Sequence, residues 1–148
     1  MAANQTLTID LLTPAGSLQD ADGKPFASGV EVPGVEIPGA LGELGVLPDH
    51  VPFLTPVLPG VVRFKMNEES HRVAVGAGFL EVSADGRVTI LVDKAVRPAD
   101  VDAAAVKRDL EDAAKRLGEL KDATDSAEHR RLSGEVAWYE AQLRAAQG

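Results

Sequence analysis

The chain has 148 residues, 45% of them hydrophobic and 26% charged, which fits one ordinary globular domain or a small domain with an appendage and argues against a disordered chain. A net charge of -8, from 15 Lys+Arg against 23 Asp+Glu and with no basic patch, argues against a nucleic-acid binder. The absence of cysteine excludes a disulfide scaffold, a zinc-cysteine site and a thiol nucleophile.

Met1 to Asp10 has no basic stretch followed by an apolar core, and no apolar run is long enough to span a bilayer. The expectation is a soluble cytoplasmic protein. The first strand is Leu7 to Leu12, stopped by Thr13-Pro14. Val30–Val32 and Val35–Ile37 are short alternating pieces cut by Pro33-Gly34 and Pro38-Gly39. Gly45–Leu47 stops at Pro48. Phe53–Leu58 and Val61–Lys65 flank Pro59-Gly60, and Arg72–Gly76 and Phe79–Val82 flank Gly76-Ala77-Gly78. Arg87–Val92 follows Ala84-Asp85-Gly86, the clearest hairpin turn, because glycine there tolerates positive φ.

The grammar then changes. Of 14 glycines and nine prolines, 20 lie in residues 1–98, and the remainder of the chain is rich in Ala, Leu, Glu, Lys and Arg. The expected fold class is β + α: an N-terminal antiparallel β-sandwich over residues 1–97, followed by a C-terminal antiparallel two-helix hairpin over 98–148. Asp100 is the expected N-cap, with Asp102 favoured by the helix dipole. Val106, Leu110, Ala113, Leu117 and Leu120 form a narrow seam that breaks at residues 121–126, where Asp125 or Ser126 caps a second helix. Leu132, Val136, Tyr139 and Leu143 repeat the seam. Such thin, alanine-rich seams give modest stability, so the hairpin is a candidate moving part.

Catalytic patterns are missing. His50, His71 and His129 are scattered without metal-ligand spacing, and neither a nucleophile elbow nor a phosphate loop occurs. No cofactor or metal site is expected. On pattern alone Gly42-Glu43-Leu44-Gly45 reads as a plain turn, Glu68-Glu69 as a solvated hairpin tip and Asp85 as turn chemistry. Lys115-Arg116 and Arg130-Arg131 read as solvated helix faces, with a basic face for an acidic partner as the sharper alternative. Trp138-Tyr139 reads as a packed anchor or, if exposed, a binding hot spot. By pattern alone the chain is a sandwich plus helical hairpin that binds a partner.

A longer pattern is more specific. Gly42-Glu43-Leu44-Gly45-Val46-Leu47-Pro48-Asp49-His50-Val51-Pro52-Phe53-Leu54-Thr55, followed by Leu58-Pro59-Gly60-Val61-Val62-Arg63, resembles the signature of the epsilon subunit of bacterial F-type ATP synthases. Val75-Gly76-Ala77-Gly78-Phe79-Leu80-Glu81-Val82 and Val88 to Ala95 resemble the same family's second and third motifs. The resemblance spans nearly the whole chain and is strongest from Gly42 to Asp102. It departs in a longer Phe26–Gly42 stretch and in Ala77, where a glycine is common.

The resemblance implies a non-catalytic central-stalk subunit of a proton-translocating ATP synthase. Its partners would be the gamma subunit, the membrane c-ring and the alpha/beta catalytic head, on the cytoplasmic face of the bacterial plasma membrane. Glu43 matches the position facing the ring loops, and His50 one near the interface of stalk and ring. From the residues alone, Glu43 could be a turn carboxylate and His50 a packing histidine. The family's hairpin lies folded on the sandwich or extends into the head and suppresses ATP hydrolysis, where Arg130, Arg131 and Arg144 would meet acidic surface. Some members bind ATP on the helices. Here Val101-Asp102 matches the start of that motif, but Ala105 and Val106 replace its Arg-Ala pair and Val96 its acidic residue, so tight ATP sensing by that route is not expected. Arg108 reaches the site only in another helix register. The rivals are a constitutive coupling subunit whose hairpin never inhibits, and an unrelated sandwich enzyme or carbohydrate-binding module, which the 4% aromatic content disfavours. A mitochondrial counterpart is disfavoured because no Arg-rich transit segment precedes Leu7.

Overall fold

A computed structural model describes residues 6–120 and 126–147. Eleven strands come first: β1 Leu7–Thr13, β2 Gly16–Ser17, β3 Ser28–Val32, β4 Val35–Gly39, β5 Gly42–Val46, β6 Phe53–Val57, β7 Gly60–Met66, β8 Glu69–Val75, β9 Gly78–Val82, β10 Arg87–Val92 and β11 Ala95–Val96. A single 3-10 turn, Pro98–Asp100, leads into α1 Ala103–Glu119 and α2 Ala127–Gln147.

One continuous ladder runs β11-β8-β7-β4-β6-β9-β10-β1-β2, with β3 added on β1 and β5 on β4. It folds into a sandwich because β4 serves both layers. Val35 and Glu36 pair with Phe64 and Arg63 of β7, whereas Gly39 pairs with Val57 of β6. Every pairing is antiparallel except β1 with β10, which run parallel from Thr8↔Arg87 to Leu12↔Leu91. Alternation sets the core: Leu7, Ile9 and Leu11 of β1 point inward, as do Val88, Ile90 and Val92 of β10. The β7–β8 turn uses Asn67 and Glu68 at positive φ, the two-residue hairpin geometry expected of a solvated tip.

The first helix is capped by Asp102, not Asp100. Its carboxylate accepts from the Ala105 N–H at 3.1 Å. Pro98 fixes the turn before it, where the Asp100 N–H donates to the Arg97 carbonyl and the Asp100 carboxylate pairs with Arg97. Ser126 caps α2, its hydroxyl accepting from the His129 N–H at 3.1 Å, while Asp125 lies outside the described residues. The first seam holds, with Val106 and Ala113 buried. The second helix has two apolar faces. Leu132 is buried and Val136, Tyr139 and Leu143 are half-buried, but Trp138, Ala141 and Ala145 form a separate cluster with Val61 of β7 and Ala74 of β8. α1 therefore rides on α2, and α2 sits on the outer face of β7 and β8.

Candidate docking surfaces

The tetrad Gly42-Glu43-Leu44-Gly45 is a strand and not a turn. Ala40-Leu41 makes the turn, Gly42 leaves it at φ 110°, and β5 then pairs in register with β4, placing Glu43 opposite Pro38. Leu44 and Val46 face the core, so Glu43 faces out. One oxygen of its carboxylate lies 3.5 Å from Arg63 on β7, with both side chains about half exposed. This is a screened pair worth about 0–1 kcal/mol, and it leaves the carboxylate available.

His50 sits in the loop after β5, beside Asp49 at φ 67°. It is exposed, its ring centroid lies 4.8 Å from that of Phe53, and Nδ1 donates to the Val51 carbonyl at 3.0 Å in that tautomer. Among the described residues no hydrogen bond or ion pair joins it to Glu43. The carboxylate is on the second residue of β5 and the imidazole is four residues past its end.

The three arginines are not one patch. Arg131 is held between Glu128 and Glu135 at 2.5 and 2.8 Å. Hydrogen bonding and the charge of Glu128 push its pKa further up. Arg130 and Arg131 both border a cleft of about 300 Å³ between α2 and the loops at Pro59, Gly76 and Asp93. Arg144 is exposed in the last turn of α2, about 20 Å farther along the axis, where a cation suits the helix dipole. Lys94 of that loop region lies over the Trp138 ring at 5.1 Å, so this tryptophan is an anchor between helix and sheet.

The positions where the ATP-binding pattern breaks have structural roles here. The Asp102 carboxylate is occupied as the cap of α1, and Val96 packs against the cluster beneath α2.

A larger feature escaped the sequence reading. Across the layer remote from the helices, register aligns Leu12, Leu91, Phe79 and Pro56 on four adjacent strands, all facing outward. Phe79 is 56% exposed and Leu91 52%, with Leu54 at 66% one pair along β6. The signal was available: Leu80 and Val82 face the core, so Phe79 must face away. Leu47 and Val51 flank His50, and Leu41 stands fully exposed at the β4–β5 tip. Among the described residues no group of His, Asp and Glu is suited to hold a metal ion.

Residues 6–98 match the family described as ATP synthase, Delta/Epsilon chain, beta-sandwich domain. The chain is 42% identical over 113 residues to the ATP synthase epsilon chain of Anoxybacillus flavithermus, covering 76% of this chain and 77% of that one. It is 36% identical over 135 residues to the epsilon chain of Maricaulis maris, covering 91% and 92%. Among solved structures it is similar to a chain of the Euglena gracilis mitochondrial ATP synthase, OSCP/F1/c-ring, with a TM-score of 0.74 and 19% identity. That likeness covers 100% of this chain and 85% of the other and supports the fold alone.

Proposed function

We propose a rotor role for this chain, which belongs to the ATP synthase epsilon-chain family and is a subunit of that complex. In this reading it is a non-catalytic central-stalk subunit of a proton-translocating enzyme. Residues 1–97 dock gamma and the c-ring, and the hairpin at 98–148 regulates. The single observation that carries it is the apolar row Leu12-Leu91-Phe79-Pro56. The helices cover one outer face of the sandwich, and this row is an apolar stripe on the other. A side chain such as Phe79 or Leu91 contributes about 1.5–3 kcal/mol when fully buried, far more than an exposed ion pair. The row is therefore the gamma-docking face, and Glu43 and His50 mark the smaller polar contacts with the ring and stalk.

Among the described residues no helix is long and apolar enough to cross a membrane. Attachment to the cytoplasmic face of the membrane then runs through the complex. The hairpin meets the sheet mainly through Trp138, Ala141 and Ala145, a small contact that partner binding can outweigh. Arg130, Arg131 and Arg144 are its candidate contacts to the catalytic head. With Ala105 and Val96 at the two key positions, this hairpin responds to partners and not to ATP.

The test is gamma binding and head ATPase activity. Phe79→Glu with Leu91→Glu should abolish co-purification with gamma while the sandwich stays folded. Retained binding would place the docking face elsewhere. Full chain, but not a chain ending at Arg97, should suppress hydrolysis by the head with its gamma subunit. If both bind and neither inhibits, the subunit serves coupling alone. Reversing the three arginines should relieve inhibition, and unchanged inhibition removes them from the contact.

A further inference from the structure

We propose that the groove between the β4–β5 hairpin and the β7–β8 hairpin is a binding site for a phosphate-bearing ligand. β4 pairs with β7 only at Val35 and Glu36, whereas β7 continues to Met66. The layer splits beyond that pairing and leaves a groove of about 630 Å³.

The chemistry of the lining is selective. Register sets Arg63 opposite Arg72 and Lys65 opposite Ser70 on the outward face of β7 and β8, so three cations line one recess in which Glu36 is the one carboxylate, with Glu43 beside Arg63. This runs against a chain of net charge -8. The cations are also available. Among the described residues Arg63 has a single ion pair, the 3.5 Å contact with Glu43. Arg72 uses Nε on the Ala145 carbonyl, and its two terminal nitrogens have no hydrogen bond among the described residues. Lys65 makes no ion pair among the described residues, and the Ser70 hydroxyl adds a donor.

Two guanidinium forks, an ammonium and a hydroxyl offer more donors than the carboxylates of Glu36 and Glu43 take up. They suit the charge and the three acceptor oxygens of a phosphate group. The group could belong to a free phosphorylated compound or to a lipid headgroup. The inference rests on the groove alone and stands apart from the rotor reading.

The test uses the full chain at low ionic strength, because exposed cations are screened by salt. Pyrophosphate is titrated by calorimetry. Phosphatidylglycerol vesicles are compared with phosphatidylcholine vesicles by sedimentation. Lys65→Ala and the Arg63→Ala/Lys65→Ala pair should each weaken binding about tenfold or more, consistent with loss of a charge-assisted contact. Lys65→Arg should restore it. Arg116→Ala, on α1 and away from the groove, should bind as the parent chain does. Pyrophosphate binding with this pattern assigns a free ligand, and binding only to phosphatidylglycerol assigns a headgroup. Binding to neither, or equal losses in Lys65→Ala and Arg116→Ala, overturns the site.

Discussion

The sandwich and the helical hairpin of this chain are held by different means. The sandwich has 18 buried residues in one cluster, Ala27 and residues of nine strands whose side chains alternate inward and outward. The hairpin touches it through a five-residue cluster in which three members are alanine. Burying alanine removes little apolar area from water, so contact per residue is weak even where packing is close. One region is thus built to persist, and the other to sit on it at modest cost. The sandwich does not depend on the helices for its core, whereas α2 depends on the sheet for one of its two faces.

The strongest way to break this contrast is inside the sandwich. Leu80 is wholly buried on β9, and Leu80→Ala should cost about 2–5 kcal/mol, through lost burial and a cavity. Chemical denaturation should show the strand and helix signals falling together, since the hairpin loses its platform. If the helices survived after the strands melted, the dependence would run the other way. A smaller effect is expected at the joint. Ala141 is fully buried between α2 and the sheet, and Ala141→Leu should destabilise the docked hairpin by about 1–3 kcal/mol through overpacking. Trp138 is the single tryptophan and lies at that joint, so its emission should shift red. The sandwich transition should stay where it is. A shift of that transition by the same amount would show that the two regions form one cooperative unit.

Legibility in the sequence follows the same contrast. Strand alternation is a local signal with period two, and it located nine strands between Leu7 and Val92 within a few residues while missing the two-residue β2 and β11, which are too short to show a period. It says which face a residue takes but not which strand lies beside it. The parallel pairing of Thr8 with Arg87 joins positions far apart in the chain and leaves no local mark. In α2 the seam at Leu132, Val136, Tyr139 and Leu143 was visible, but Ala141 and Ala145 gave no comparable signal. Alanine is also simply a good helix former, so the sheet-facing side went unread. The cap moved from Asp100 to Asp102 because Pro98 spends three residues on a 3-10 turn before the helix starts. At the docking surfaces, Glu43 and His50 stood out only through resemblance to a family. The apolar row could have been read from alternation, but only the register shows that its residues are neighbours.

Two smaller changes sharpen the contrast without breaking it. Asp102→Ala should remove about 1 kcal/mol by leaving the first-turn N–H groups of α1 unmet, and helicity should fall while the sandwich melt is unchanged. The smallest effect concerns protons. Hydrogen bonding from Arg131 holds Glu128 below its ordinary value of 4.5, and in the sandwich the Ser83 hydroxyl does the same for Asp85. In both cases the folded carboxylate binds its proton less readily than the unfolded one. The stabilisation is therefore full above the ordinary carboxylate value and is lost as pH falls through the lower, folded value. Both side chains are exposed, so each contribution is small and screened. Only Glu128 lies on a helix, so only it should move the helical signal. Between neutral pH and pH 3 the parent chain should lose more helicity than Glu128→Gln, which begins slightly less helical because Arg131 then keeps only Glu135 as an ionic partner. Identical profiles would mean that the Arg131 network adds nothing to the hairpin. Its stability would then rest wholly on the apolar faces of α2.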